Sequence, residues 1–245
     1  NPMLTCQTYL KHIQQLLDTI ALEESGRIEE AARMVTDAIT VRDIFHVIGT
    51  GAHGSMVAEE LLWRAGGLAC VNAILDPSIN LIFGAYRSGI MDQTACNCDA
   101  ILDVYGVMPD DLLIIVNSSG VNAYSIELAK TCRKRGIKTI AITSKFGLML
   151  PEPKKESLFS LCDMYIDNHM PYGDSAVTLN HFTQAIGPVS SILNIAIANM
   201  IICQAIENLL GRGIEPPVWQ YDASPGSDIN NKELFNRYQT RIHHL

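Results

Sequence analysis

Basic residues are scarce in this chain. Its 245 residues hold 18 Lys and Arg against 26 Asp and Glu, a formal net charge of −8. A protein that neutralises a phosphodiester backbone needs a basic stripe, and none is present, so nucleic acid is not an expected partner. An anionic membrane surface is not expected either, because it is held by clusters of Lys and Arg. Charged residues of both signs reach only 18%, whereas hydrophobic residues reach 48%. That balance excludes a disordered or low-complexity chain, which cannot bury enough apolar surface to offset ordering entropy. No basic-then-apolar N-terminal segment is visible, so no secretory leader is expected. One apolar stretch, 188–206, approaches spanning length. Asn194, Asn199 and Gln204 interrupt it and no basic flank accompanies it, so it reads as a buried helix of a soluble protein rather than a membrane span. The seven cysteines are odd in number and scattered, with no Cys-x-x-Cys. Cys96-Asn97-Cys98 is the one close pair, and no His or second pair stands at zinc-ligand spacing around it. We therefore expect reduced thiols in a cytoplasmic protein, with no metal and no cofactor.

The length suits one large domain or two small ones. Residues 4–21 place Leu10, Ile13, Leu16, Leu17 and Ile20 at helical spacing, and 28–39 repeat the pattern with Ile28, Ala31, Ala32, Val35 and Ile39. Gly26 lies between, so the expectation is a helical hairpin over 1–42, packed on the core or on a dimer partner, ahead of a domain over 43–245. From residue 44 the pattern becomes short unbroken apolar runs: 44–48, 68–73, 112–116, 139–142 and 164–166. Such runs are strands of a parallel sheet covered on both faces. Helical patterns over 55–65 and 123–134 separate them, and the stretch 75–105 is irregular with short helices. The β-α-β alternation predicts an α/β fold with a doubly wound, five-stranded parallel sheet. A long helix is expected over 188–210, opened by Pro188, and a last short helix over 230–242.

In such a sheet, ligands bind beyond the carboxyl ends of the strands. After the first strand comes Gly49-Thr50-Gly51-Ala52-His53-Gly54-Ser55, which matches G-x-G-x-x-G. Glycines permit the tight turn and close approach of the backbone, and the following helix start offers N–H groups to an anion. After the central strand comes Asn117-Ser118-Ser119-Gly120-Val121-Asn122. One Asn or Ser suffices to cap a helix; this loop carries four short polar side chains. Thr143-Ser144-Lys145 follows the fourth strand. Neither of the first two loops contains Lys or Arg, so a phosphate there would be held by N–H groups and hydroxyls without a metal. The alternative reading of the first loop is dinucleotide binding by an NAD-dependent enzyme, with Asp76 at the distance that fingerprint asks. The second loop has no task in that reading.

These two loops resemble those of the SIS (sugar isomerase) phosphosugar-binding domain. Ala58-Glu59-Glu60, Arg64-Ala65-Gly66-Gly67-Leu68-Ala69, Ile74-Leu75-Asp76-Pro77, Gly187-Pro188 and Glu215-Pro216-Pro217-Val218 are similar to an uncharacterised bacterial subfamily of it. That subfamily is akin to phosphoheptose isomerases and N-acetylmuramic-acid-6-phosphate etherases. The resemblance implies a three-layer αβα domain, a homodimer or larger homo-oligomer, and a sugar phosphate as the small-molecule partner. It implies phosphosugar contacts from Gly51, His53, Gly54, Ser55, Asn117, Ser118, Ser119, Asn122, Thr143 and Ser144. The sequence departs from the SIS pattern by Asn at 117 and 122, both still able to donate to phosphate. Aldose–ketose isomerisation needs a base beside an acidic C–H. The candidates are Glu59, Glu60, His53 and His181. Where phosphoheptose isomerases carry a glutamate base further along the first helix, this chain has Trp63. The expected activity is sugar-phosphate isomerisation. The alternatives are an etherase or lyase, and a non-catalytic phosphosugar sensor.

Overall fold

A computed structural model describes residues 4–152 and 156–245. The five runs of branched aliphatics form one parallel sheet: β1 (Phe45–Gly49), β2 (Val71–Ile74), β3 (Leu112–Val116), β4 (Lys138–Thr143) and β5 (Met164–Asp167), in the order β2-β1-β3-β4-β5. Along β3 the side chains alternate between two cores. Leu112, Ile114 and Val116 face one apolar cluster, and Leu113 and Ile115 face the other. Alternation is the pleat; the unbroken apolar run follows from burial on both faces.

The first cluster lies under α1 (Thr5–Glu23), α2 (Ser25–Arg42), α3 (Ser55–Leu61) and α9 (Ser190–Gly211); the second lies under α5 (Cys98–Val104) and α6 (Ala123–Arg135). This makes three layers. α4 (Ala85–Asp92), α7 (Phe146–Met149) and α8 (Leu158–Leu161) are short, and α10 (Ser227–Tyr238) closes the first face. The composition of α9 would let it cross a bilayer by length and hydropathy. Here its Leu193, Ile197, Ile201, Ala205 and Leu209 are buried in the first core.

Several sequence boundaries move for identifiable reasons. The helical hairpin breaks at Glu24, not Gly26, which lies inside α2. Helix α3 stops at Leu61, and Trp63 turns the chain with φ +54°. The second strand begins at Val71, three residues late, because Leu68 bridges antiparallel to Val218 instead. Pro188 does not open α9. It ends β7 (Ile186–Pro188), which pairs antiparallel with β6 (Ser175–Val177), a ribbon the sequence pattern did not predict. The last helix starts at Ser227, three residues earlier than expected, and ends at Tyr238. Cys96 and Cys98, expected as thiols, are joined as a disulfide; their Cα atoms stand 5.4 Å apart, within bridging range.

Candidate functional site

The strand order places β1 and β3 side by side, with β2 on one flank and β4 on the other. The chain leaves β1 and β3 in opposite directions across the sheet, which opens a crevice between their carboxyl ends. The loops 49–55 and 117–122 stand on either side of it. Both loops line one cavity of about 380 Å³, together with Asp92, Phe146, Met170, Gly173, Asp174 and Ser190. The two polar loops thus share one hollow.

Backbone packing shapes the first loop. A Cβ at Gly54 would stand 2.2 Å from the Thr50 carbonyl oxygen and 2.9 Å from that of Val116, and a Cβ at Gly49 would stand 1.8 Å from the Gly54 oxygen. Only glycine lets the turn fold onto the end of β3. Thr50 N–H donates to Val116 O at 2.8 Å, so the loop is hydrogen-bonded to the neighbouring strand.

The second loop is an Asx-type turn. Asn117 Oδ1 accepts from Gly120 N–H at 2.8 Å, while Asn117 Nδ2 donates to Thr50 Oγ1 at 3.1 Å. Asn117 therefore joins the two loops. Ser119 Oγ donates to Asn122 Oδ1 at 2.8 Å or to Asn117 Oδ1 at 3.1 Å. Ser118 is held differently: its Oγ accepts from Asn194 Nδ2 at 3.0 Å, and Asn194 Oδ1 accepts from Asn168 at 2.8 Å. That leaves the Ser118 hydroxyl proton to donate into the cavity. Among the described residues, the N–H groups of Ala52, His53, Ser118 and Ser119 have no protein acceptor. The thirteen-residue α6 starts directly after this loop, adding the positive end of its dipole. Among the described residues, no Lys or Arg lines the cavity.

Ser55, Thr143 and Ser144, expected at the ligand, do not line the cavity. Ser55 is buried in the first turn of α3. Ser144 donates to Ser118 O at 2.6 Å and so supports the second loop from behind. Thr143 Oγ1 is buried without a partner beneath Gly120, where a Cβ would approach it to 2.4 Å. Of the four acid–base candidates, His53 lines the cavity. Glu60 pairs with Arg64 at 3.2 Å, and Glu59 accepts from Asn80 Nδ2 at 3.1 Å. His181 lies exposed in the loop between β6 and β7, with φ +65°.

Two carboxylates reach the cavity that the sequence did not single out as ligand groups. Asp174 accepts from Val189 N–H, Ser190 N–H and Ser190 Oγ at 2.8–3.1 Å, and so caps the start of α9. Asp92 ends α4 and is 4% exposed. Its Oδ1 accepts from Gly51 N–H at 2.9 Å and its Oδ2 accepts from Asn122 Nδ2. Burial pushes its carboxyl up to about 6, against the opposing pull of the Gly51 N–H. No sequence signal marked Asp92, because it lies in the irregular stretch between β2 and β3. Asp76, the ribose ligand of the dinucleotide alternative, has its carboxylate occupied by Ser78 and by the Tyr124 hydroxyl.

A doubly wound sheet with an N–H and hydroxyl cradle at its switch point defines the class: an α/β protein with a donor-lined cavity beyond the carboxyl ends of its strands. The chain belongs to the SIS domain family, whose profile matches residues 8–144. A UPF0309 protein of Caldanaerobacter subterraneus subsp. tengcongensis is 34% identical over 243 residues, 97% of this chain and 98% of the relative. A UPF0309 protein of Brucella anthropi is 38% identical over 224 residues, 90% of this chain and 92% of the relative. The fold is shared with a phosphoheptose isomerase from Francisella tularensis: TM-score 0.52, 12% identity, covering 86% of this chain and all (100%) of the other. It is also shared with the Vibrio vulnificus NanR protein complexed with ManNAc-6P: TM-score 0.53, 15% identity, covering 95% and 69%.

Proposed function

We propose that the protein binds a sugar phosphate, with its phosphoryl group in the cradle between residues 51–54 and 117–122, and isomerises it. The observation that carries the binding is the convergence of unpaired N–H groups and the Ser118 hydroxyl on one cavity, lined among the described residues by no Lys or Arg. A phosphoryl group accepts from such donors without a metal. His53 lines the same cavity, and we assign it the proton transfer between adjacent sugar carbons that isomerisation requires. The exposed apolar residues Leu10 and Leu22 on α1 and Ile192 on α9 support a homodimer. In that assembly His181 or Glu59 would be offered to a partner's site.

A second reading is a phosphosugar sensor without turnover. The observation in its favour is that Glu59 and Glu60 are both engaged outside the cavity. Incubation with sugar phosphates in D₂O, followed by NMR, separates the two readings. Deuterium entering a sugar C–H supports the isomerase, and its loss in His53→Gln assigns the proton transfer. Tight binding without exchange supports the sensor, or an etherase that breaks a bond this probe does not report.

Binding is tested first by thermal shift with hexose, heptose and N-acetylhexosamine phosphates, and with NAD. A ligand at 100 times its Kd adds about 2.7 kcal/mol of stability, or roughly 5–10 °C for a chain of this size. A shift with NAD alone would reject the phosphosugar reading. Ser118→Ala is expected to weaken binding by about 1–3 kcal/mol, since it removes a hydroxyl aimed at a charged group. Unchanged affinity by calorimetry would take Ser118 out of the site.

A further inference from the structure

We propose that the Asp92 carboxylate is the resident anion of the cradle, holding donors of both loops until a phosphoryl ligand takes them over. The inference rests on reading the cavity as a phosphoryl site. Its basis is where Asp92 sits and what it touches. The carboxylate stands between the loops, one oxygen on Gly51 N–H and the other on the Asn122 amide. Gly51 and Asn122 line the same cavity as the free N–H groups of residues 52, 53, 118 and 119, so Asp92 holds part of the donor set that surrounds the cradle. Among the described residues no cation lines the cavity to balance Asp92, although buried carboxylates are ordinarily paired. The second carboxylate of the cavity, Asp174, has a structural task at the start of α9. Asp92 has no comparable one: its contacts reach only the ligand loops.

The helix that carries it is short and borders solvent. α4 has eight residues, is entered through Gly84 with φ +115°, and leaves Tyr86 and Ile90 exposed on its outer side. Ser88 Oγ donating to Ile79 O at 2.7 Å is its buried hydrogen bond to the segment before it. Two anions confined to one water-poor donor set repel each other, so ligand binding requires Asp92 to move away or to take up a proton. The sign of the pH dependence follows. The Asp92 carboxyl titrates at about 6. As pH falls through that value the resident charge disappears and anions bind more tightly; as pH rises past it the competitor is fully charged. The same raised carboxyl makes the free protein lose stability as pH climbs from the ordinary carboxylate range to about 6. The other titratable groups around Asp92 are His53 and Asp174 on the cavity wall, Tyr124 of α6, and Asp76 hydrogen-bonded to Tyr124.

The test uses sulfate, a tetrahedral dianion whose own charge is constant across this range, titrated calorimetrically into the full chain at about pH 7.5 and about pH 5.5. The wild type is expected to bind sulfate about tenfold more tightly at the lower pH. Asp92→Asn is expected to bind it about tenfold more tightly than wild type at the higher pH, with most of the pH dependence gone. Asp92→Ala should act in the same direction and guards against a packing fault in the first variant. Both are repeated in a His53→Gln background, because His53 shares the cavity wall with Asp92. Equal or weaker sulfate binding by both Asp92 variants, with wild-type binding intact, overturns the resident-anion role and leaves the phosphoryl cradle standing. Failure of every variant and the wild type to bind sulfate or any sugar phosphate overturns both.

Discussion

Replacing Gly54 by Ala is expected to destabilise the protein by about 3 kcal/mol and to abolish sugar-phosphate binding. The added methyl group would stand 2.2 Å from the Thr50 oxygen, 2.9 Å from Thr50 N and 2.9 Å from the Val116 oxygen. All three are main-chain atoms, so no side-chain rotation can relieve the contact, and overpacking of this kind is costly. Relief requires the first loop to lift away from the end of β3. That movement breaks the Thr50 N–H bond to Val116 and the Asn117 link to Thr50, and with them the cradle. Gly26→Ala provides the control. Nothing lies within 4 Å of its Cβ position and the residue sits inside α2. Alanine there should add about 0.5–1 kcal/mol through lower unfolded-state entropy and better helix propensity. Urea denaturation and calorimetric titration with a binding sugar phosphate measure both. A Gly54→Ala protein that melts like wild type and binds as well would show that the loop geometry is not what makes the site.

The second large effect is expected at Glu24, where the helical hairpin turns. Glu24 is 2% exposed. Its carboxylate accepts from Arg27 at 3.1 Å, from Asp167 N–H at 3.2 Å and stands 3.1 Å from His169 Nε2. It therefore fixes the corner between α1 and α2 to the carboxyl end of β5. The next residue, Asn168, begins the hydrogen-bonded line through Asn194 to Ser118. Glu24→Ala should cost about 3 kcal/mol, because it leaves the buried Asp167 N–H and the His169 ring without their acceptor. Glu24→Gln retains an acceptor and should cost less. Denaturant midpoints at constant m-value report the difference. A Glu24→Ala protein within about 0.5 kcal/mol of wild type would show that the corner is held by apolar packing alone.

The sequence determined the parallel sheet and the two loops at its switch point, because these rest on local chemistry. Unbroken aliphatic runs suit only strands buried on both faces, and a glycine-bearing turn followed by a helix start exposes N–H groups wherever it occurs. It also set the absence of basic side chains from both loops. The tertiary structure decided what depends on elements distant in the chain. It set Glu59 and Glu60 outside the cavity, Ser144 behind Ser118, and Pro188 in a two-stranded ribbon instead of a helix start. It also brought Asp92, 41 residues from Gly51 along the chain, onto the cradle. A carboxylate in an irregular segment carries no periodicity and no motif. Its environment, and hence its affinity for a proton, comes into being only when packing removes it from water.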